Sequence, residues 1–455
     1  MFPSTELSQD LNKTLEDVSS GKIEKFSQSS FDDKEDGALA VVDGGYHAWR
    51  FLFIAFMVEG ATFDMNKSIA ALIGTCVHKT LSIPFPFIFD HAFQSIIDPC
   101  NTNQTGSLCS GILYCFGAIL IPLMENQRWI TKWGPTAGTI ACAASCLGAG
   151  FCDKASHLIL LQGILYGVGG AHVLPSYPCL AFLGEWWVDR RGFAGSVMFT
   201  GGSIFGLVYP PLLEWSLQKY GSRITYQAFA IFWVVIMLPM MPFFRGRLPN
   251  TRIQDPRRLC FSRYLRKPIF WAFVAVTLVQ SLAYFVPSLY MPSYAMSIGL
   301  PGGLILAFYS GASIFGQLLV GTASDHVDSS WLIGTTSLCS GISIFTLWGH
   351  CNGFAMLASF AIIYGLSAGG FSCLWQRFAM LVAPSEPKSG NLIAFFTTSR
   401  GIANIFTGPI AGALLDKSTS EVQGYRMLVQ YSGTIMIIST LGVGIRLLYT
   451  PKNPL

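Results

Sequence analysis

Long apolar runs recur along the chain, separated by short polar stretches. "GTIACAASCLGAGF", "YQAFAIFWVVIMLPMMPFF" and "LASFAIIYGLSAGGFSCLW" are examples. A membrane-crossing helix needs about 20 mostly apolar residues. The runs predict twelve such helices, over about 49–63, 106–124, 135–152, 157–183, 192–215, 224–243, 268–290, 303–323, 331–349, 354–383, 389–415 and 427–448. The pattern is that of an all-α membrane protein.

Composition agrees. Of 455 residues 51% are hydrophobic and 12% charged, against about 25% charged in soluble domains; the mean hydropathy is +0.48. Residues 1–43 are different. They hold four Lys and ten Asp or Glu, with no apolar core of the kind a signal peptide needs. A polar, acidic, Ser-rich stretch like this is expected to be a disordered tail. Basic residues in short loops mark the cytoplasmic side. The segment 245–267 has eight Lys or Arg and one acid, and "NQRWITK" and "VDRRG" follow the second and fourth predicted helices. Both termini are therefore expected in the cytoplasm, with the plasma membrane the first expectation and a vacuolar or other internal membrane the alternative. The implied domains are the tail 1–43, a six-helix half 44–244, a basic linker 245–267, a second six-helix half 268–448 and a short tail 449–455. Most of the twelve cysteines lie inside apolar runs, where Cys acts as a small apolar residue. Cys100 and Cys109, near a predicted outer loop, are a candidate bridge, and Asn66 and Asn103 fit the glycosylation pattern.

An internal repeat supports two halves. Tyr166-Gly167 in the fourth helix matches Tyr364-Gly365 in the tenth at an offset of 198. Gly202 and Pro210 in the fifth match Gly401 and Pro409 in the eleventh at 199. Equivalent helices in the same order indicate parallel repeats, the plan of the major facilitator fold with its site between the halves. Gly202/Gly206 and Gly408/Gly412 have the GxxxG spacing that lets helices approach closely.

Two stretches carry a family resemblance. "VDGGYHAWR" before the first helix, with Asp43, Gly44, Gly45 and Trp49, resembles the first signature of monocarboxylate-transporter-like members of the major facilitator superfamily. "EWWVDRRGFAGSVMFTGGSIFGLVYPPLLEW", with Arg190, Arg191 and Gly192, resembles the second. "FVPSLYMPSYAMSIGL" and "YGLSAGGFSCLW" follow in order, and fungal members are the nearest in pattern. The resemblance covers about 43–61 and 105–448 and implies a secondary transporter. Two departures stand out. The acid and arginine that proton-linked lactate carriers place in the eighth helix are missing from "ILAFYSGASIFGQLLVGTASD", uncharged until Asp325. Residues 62–104 do not align, and Trp49 to Tyr166 is 24 residues longer than the equivalent Trp271 to Tyr364. That stretch is either a genuine outer loop or a wrongly joined exon that leaves the protein inactive.

An ionisable residue inside a membrane is a functional candidate. Arg400, near the middle of the eleventh helix, is the candidate anion anchor, because a guanidinium grips a carboxylate with two hydrogen bonds. Glu59 and His172 are candidate proton-coupling groups. Arg377 lies near the cytoplasmic end of the tenth helix and can reach the interface. Tyr166, Gln280, Tyr284, Trp375 and Asn404 stand at mid-depth and are candidate pocket residues. Each also has a plain packing reading. The expected partners are a small solute, a proton and the bilayer, with no nucleic acid, metal or cofactor; no phosphate-binding loop or hydrolase motif is present. The expected function is alternating-access transport of a small, anionic, monocarboxylate-like solute. A non-transporting sensor with the same fold is the alternative.

Overall fold

The computed structural model describes residues 41–61, 114–115, 128–152, 161, 165–166, 177–247, 264–383, 390–416 and 421–448. Every regular element among them is helical. The chain runs through α1 (45–61), α2 (Arg128–Ala149), α3 (Tyr177–Trp186), α4 (Arg191–Phe232), α5 (Pro268–Ser297), α6 (Gly302–His326), α7 (Ser329–Ser343), α8 (Phe354–Ala368), α9 (Leu374–Val382), α10 (Gly390–Asp416) and α11 (Glu421–Ser439). The predicted fifth and sixth spans are one helical trace in α4, which turns at Gly221 (φ 78°, ψ 174°). Only glycine adopts that conformation without strain. The predicted tenth span is α8 and α9 joined by a 3-10 helical segment, Gly369–Cys373. The tail 1–40, the segment 62–104, both sequons and the Cys100–Cys109 pair lie outside the described residues.

Seven stretches, from Arg191–Tyr209 to Gly424–Ile445, are long and apolar enough to cross a bilayer. α10 is not among them, although it is 27 residues long. It carries Thr397, Thr398, Ser399, Arg400, Asn404 and Thr407, and these are buried or half-buried against its neighbours. Polar residues on a membrane helix turn towards protein, since lipid offers them no partner.

The repeat in the sequence has a physical basis. The Tyr166 hydroxyl donates to the carbonyl oxygen of Ala61, at the end of α1, at 3.5 Å. Its match, Tyr364, donates to the carbonyl of Tyr284 in α5 at 2.9 Å. Both tyrosines are fully buried in apolar clusters. Each ties a helix to the first helix of its own repeat.

The two signature stretches meet in space. Asp43 has a left-handed backbone (φ 55°), which Asp tolerates better than most residues. Gly45 follows at φ 78°. This bend turns the Asp43 carboxylate onto the start of α4, where it accepts from the backbone N–H of Val188 (2.9 Å), Asp189 (3.1 Å) and Arg190 (3.1 Å). Trp49 lies edge-on to Trp187 and Phe193, with centroids at 5.2 and 6.2 Å. Arg190 points to solvent, whereas Arg191 is buried and donates through Nε to Trp187 O and through Nη2 to Gly184 O, both at 3.1 Å. It thereby satisfies carbonyls at the end of α3 that have no helical partner. Asp43→Ala removes one acceptor from three N–H groups, a loss of about 1–2 kcal/mol for a helix cap. The expected outcome is a lower melting temperature of the purified protein by fluorescence-detected size-exclusion, with Asp43→Asn falling less.

Candidate functional site

The N-terminal part of α4 faces the C-terminal part of α6 and the start of α9. Asp325, one residue from the end of α6, accepts from Gly192 N at 2.8 Å through Oδ1 and from Phe193 N at 2.9 Å through Oδ2. Unpaired N–H groups and the positive end of the helix dipole both favour a carboxylate there. One turn further, Gly321 backs onto Ser196, and Gly192 lies against Ser324 so closely that a Cβ on either glycine would collide. At the next levels Gln376 packs over Gly195 and the Trp375 indole stands edge-on to Phe199, centroids 5.9 Å apart. Beyond these, Ser203 Oγ donates to Gln317 Oε1 at 3.2 Å. Positions 192, 195, 196, 199 and 203 recur at three- and four-residue spacing and so share one helix face. The seam they make seals about 16 Å of helix length at the end of the molecule where residues 245–247 and 264–267 lie.

Above the seam is a cavity of about 40 Å³, lined by Glu59 from α1, Phe199, Gly202 and Ser203 from α4, Tyr114, Tyr284, the α6 residues Tyr309, Ser310, Ser313 and Gln317, and Ser372. Space of that size holds water molecules and not an organic solute. It is rich in hydroxyls and contains one carboxylate, that of Glu59, which is 5% exposed.

Arg400 lies one layer behind this cavity. It is 1% exposed, and its Nη1 donates to Ser372 Oγ at 2.8 Å. Aromatic rings surround the guanidinium, with centroids at 4.2 Å (Tyr284), 4.9 Å (Phe285), 5.2 Å (Trp375) and 5.8 Å (Tyr114). Among the described residues Arg400 has no ion pair, and its Nε has no hydrogen-bond partner. Cation–π contacts offset part of the cost of burying the charge, at about 2 kcal/mol for a desolvated pair. An uncompensated buried cation still loses far more hydration than that. The arrangement stores a positive charge next to a cavity and leaves it short of an anion.

The repeat sharpens this reading. At the offset of 199, Arg400 corresponds to Gly201, which packs so closely on the Phe56 carbonyl of α1 that no side chain fits. At the offset of 222 set by Trp49 and Trp271, Glu59 corresponds to Ser281. The acid of one repeat and the base of the other each stand where the sister repeat has a small residue.

The remaining candidates divide. Tyr284 lines the cavity and Trp375 contacts Arg400. Gln280 and Asn404 are buried in the C-terminal repeat, and among the described residues the Gln280 Oε1 has no partner. Tyr166 is a packing residue in the N-terminal cluster. Arg377 is half-buried, its Nη1 4.0 Å from the sulfur of Met380. His172 lies outside the described residues. Sequence reasoning missed Ser372 and Gln317, whose only signal was a polar residue on an otherwise apolar helix face, and Gln376.

Residues 52–407 match the model of the Major Facilitator Superfamily. An MFS-type transporter of Aspergillus niger, pynF, is 25% identical over 73% of the chain and 75% of its own length. The aspyridones efflux protein apdF of Emericella nidulans is 25% identical over 73% of the chain and 66% of its own length. The crystal structure of the human organic anion transporter MFSD10 superposes with a TM-score of 0.64 at 11% identity, over 87% of the chain and 99% of that protein, a likeness of fold. The chain belongs to the Major Facilitator Superfamily, and it is a multi-pass membrane transporter with that fold.

The seam makes a direct prediction. Asp325→Ala leaves two N–H groups of α4 without their acceptor, and Gly192→Leu forces the helices apart by bulk. In either background a cysteine placed at Ser196 is expected to react with a hydrophilic thiol reagent about tenfold faster than in the parent, matching a loss of about 1.4 kcal/mol.

Proposed function

We propose that this transporter moves a small anionic organic solute by alternating access, with Arg400 as the anion anchor and Glu59 as the proton-linked acid. The carrying observation is the caged Arg400 cation, which has no counterion among the described residues and touches the cavity through Ser372. A solute carboxylate entering an enlarged cavity would displace the Ser372 hydroxyl as the partner of Nη1 and use the free Nε as well, giving the two-pronged contact that arginine favours. The surrounding rings would stack on a planar or apolar body attached to that carboxylate. Glu59, in the opposite repeat, is the group proposed to bind and release a proton during the cycle. A monocarboxylate-like solute fits this chemistry. Export is the proposed direction, supported by relatives that carry efflux in their names, the aspyridones protein among them.

Transport of a panel of labelled aromatic and aliphatic carboxylates, with neutral analogues as controls, tests this reading in vesicles at two pH values. Saturable transport of an acid but not its amide is expected, with a pH dependence that Glu59→Gln abolishes. Arg400→Ala should lower the rate at least about tenfold, the worth of a charge-assisted contact of 1.5–3 kcal/mol. Arg400→Lys should fall between, because an ammonium cannot make the two-pronged contact. Wild-type protein, correctly inserted, that carries none of the acids would overturn the proposal.

A further inference from the structure

The face of the tenth span that meets α4 contains Ser372, Trp375 and Gln376, at the i, i+3 and i+4 spacing of one helix stripe. Ser372 opens onto the cavity. Trp375 stands against Phe199 and beside Arg400. Gln376 lies deeper in the seam, its Cγ 3.1 Å from where a Cβ of Gly195 would be. Gln376 is 1% exposed, yet among the described residues neither its Oε1 nor its Nε2 has a hydrogen-bond partner, and the Nε1 of Trp375 has none. Buried amides are almost always paired, and leaving one unmet is unfavourable. An apolar residue would fill the same space at no such cost.

The polar ends become intelligible if the seam is one of two states. We propose that Gln376 and the Trp375 indole are the polar lining of the passage that opens when α4 parts from α6 and α9, sealed here and exposed to water and solute there. The proposal rests on the alternating-access reading and extends it to a specific wall. It continues the cavity's line of contacts from Ser372 along one helix face towards the Asp325 end of the seam. A primary amide beside an indole N–H offers two kinds of donor and one acceptor. The solute group that complements it is planar and bears an acceptor next to a donor, as a protonated carboxylic acid or an amide does. The unmet amide also acts against the Asp325 cap. It makes the closed seam less favourable than packing alone would, so that neither state dominates.

Thiol labelling of the full-length protein in lipid nanodiscs tests this, with no solute required. Gln376→Cys is treated with a hydrophilic methanethiosulfonate and its modification read by peptide mass spectrometry, the native cysteines left in place. Buried Cys142 in α2 reports unfolding. Position 376 is expected to be protected in the parent and to react about tenfold faster with Asp325→Ala or Gly192→Leu added, Cys142 remaining unmodified. Ser196→Cys runs in parallel as the seam reporter. If it reacts in those backgrounds while position 376 stays protected, Gln376 is core and the wall assignment fails, the carrier reading standing. If neither position reacts with either wedge, the moving seam itself fails, and both readings fall. Rapid reaction at 376 in the parent also overturns the proposal. Gln376→Met, which keeps the volume and removes the amide, is expected to slow Ser196→Cys labelling severalfold in the Asp325→Ala background. An unchanged rate would refute the amide's part in the balance.

Discussion

The start of α4 sets a problem on which the rest of the structure turns. A helix beginning at the membrane surface exposes N–H groups that its own backbone cannot satisfy, and the adjoining helices leave little room for water. Two aspartates solve it. Asp325 takes the N–H groups of residues 192 and 193 in the first turn of α4, and Asp43 takes those of 188, 189 and 190 in the turn that leads into it. The difference between them lies in where each comes from. Asp43 precedes α1 in the same repeat as α4, so its contact can persist through any rigid-body movement of that repeat. Asp325 comes from the other repeat, so its contact must break when the two separate. One helix terminus is therefore both an anchor and a latch. The close glycines Gly192 and Gly321 allow the latch to form because nothing on either helix holds the backbones apart.

Internal repeats help to separate scaffold from function. Tyr166 and Tyr364 occupy matched positions and do the same work, each bonding a carbonyl on the leading helix of its repeat. Identity between repeats marks packing here. Glu59 and Arg400 are departures. Arg400 stands where its sister helix has a glycine pressed on backbone. Aromatic rings from α5 and α9 surround and screen the cation. The asymmetry gives one repeat the acid and the other the base, with the cavity nearby.

Much of this was legible in the chain, and the parts that were not share a cause. Helix positions followed from apolar runs, and ends such as Pro268, Gly302 and Phe354 fell within a residue or so of expectation, because lipid imposes a length on every span. Arg400 was conspicuous because charge inside an apolar run is rare. Tyr166 packs in the N-terminal apolar cluster, a placement that depth along a helix, visible in sequence, does not by itself reveal. The meeting of the DGG and DRRG stretches, separated by more than 140 residues in sequence, could be noted as two signatures but not as one bond. Gln376 went unnoticed for a related reason. A single amide among Leu, Trp and Phe looks like tolerated packing until its lack of partners is seen.

The small cavity and the caged arginine belong to one physical argument. On the proposed role of Arg400, a cation that binds and releases an anion cannot be paired with a fixed internal acid, which would outcompete the solute by proximity. Nor can it be left bare in an apolar interior. Aromatic faces and a single hydroxyl provide an intermediate degree of stabilisation. They hold the guanidinium in place and screen it, yet each contact is weaker than a charge-assisted pair with a carboxylate. Ser372 suits this position, because a hydroxyl can accept from Arg400 in the empty state and give way to a better acceptor without leaving a buried charge behind. The same logic bears on the closed seam. A seal made of one carboxylate cap, two close glycines and a ring contact, set against an unmet amide, is held by few strong terms. A carrier that must open and close at each cycle requires a balance of that kind, in which differences of a few kcal/mol between states can be overcome by the binding of a solute.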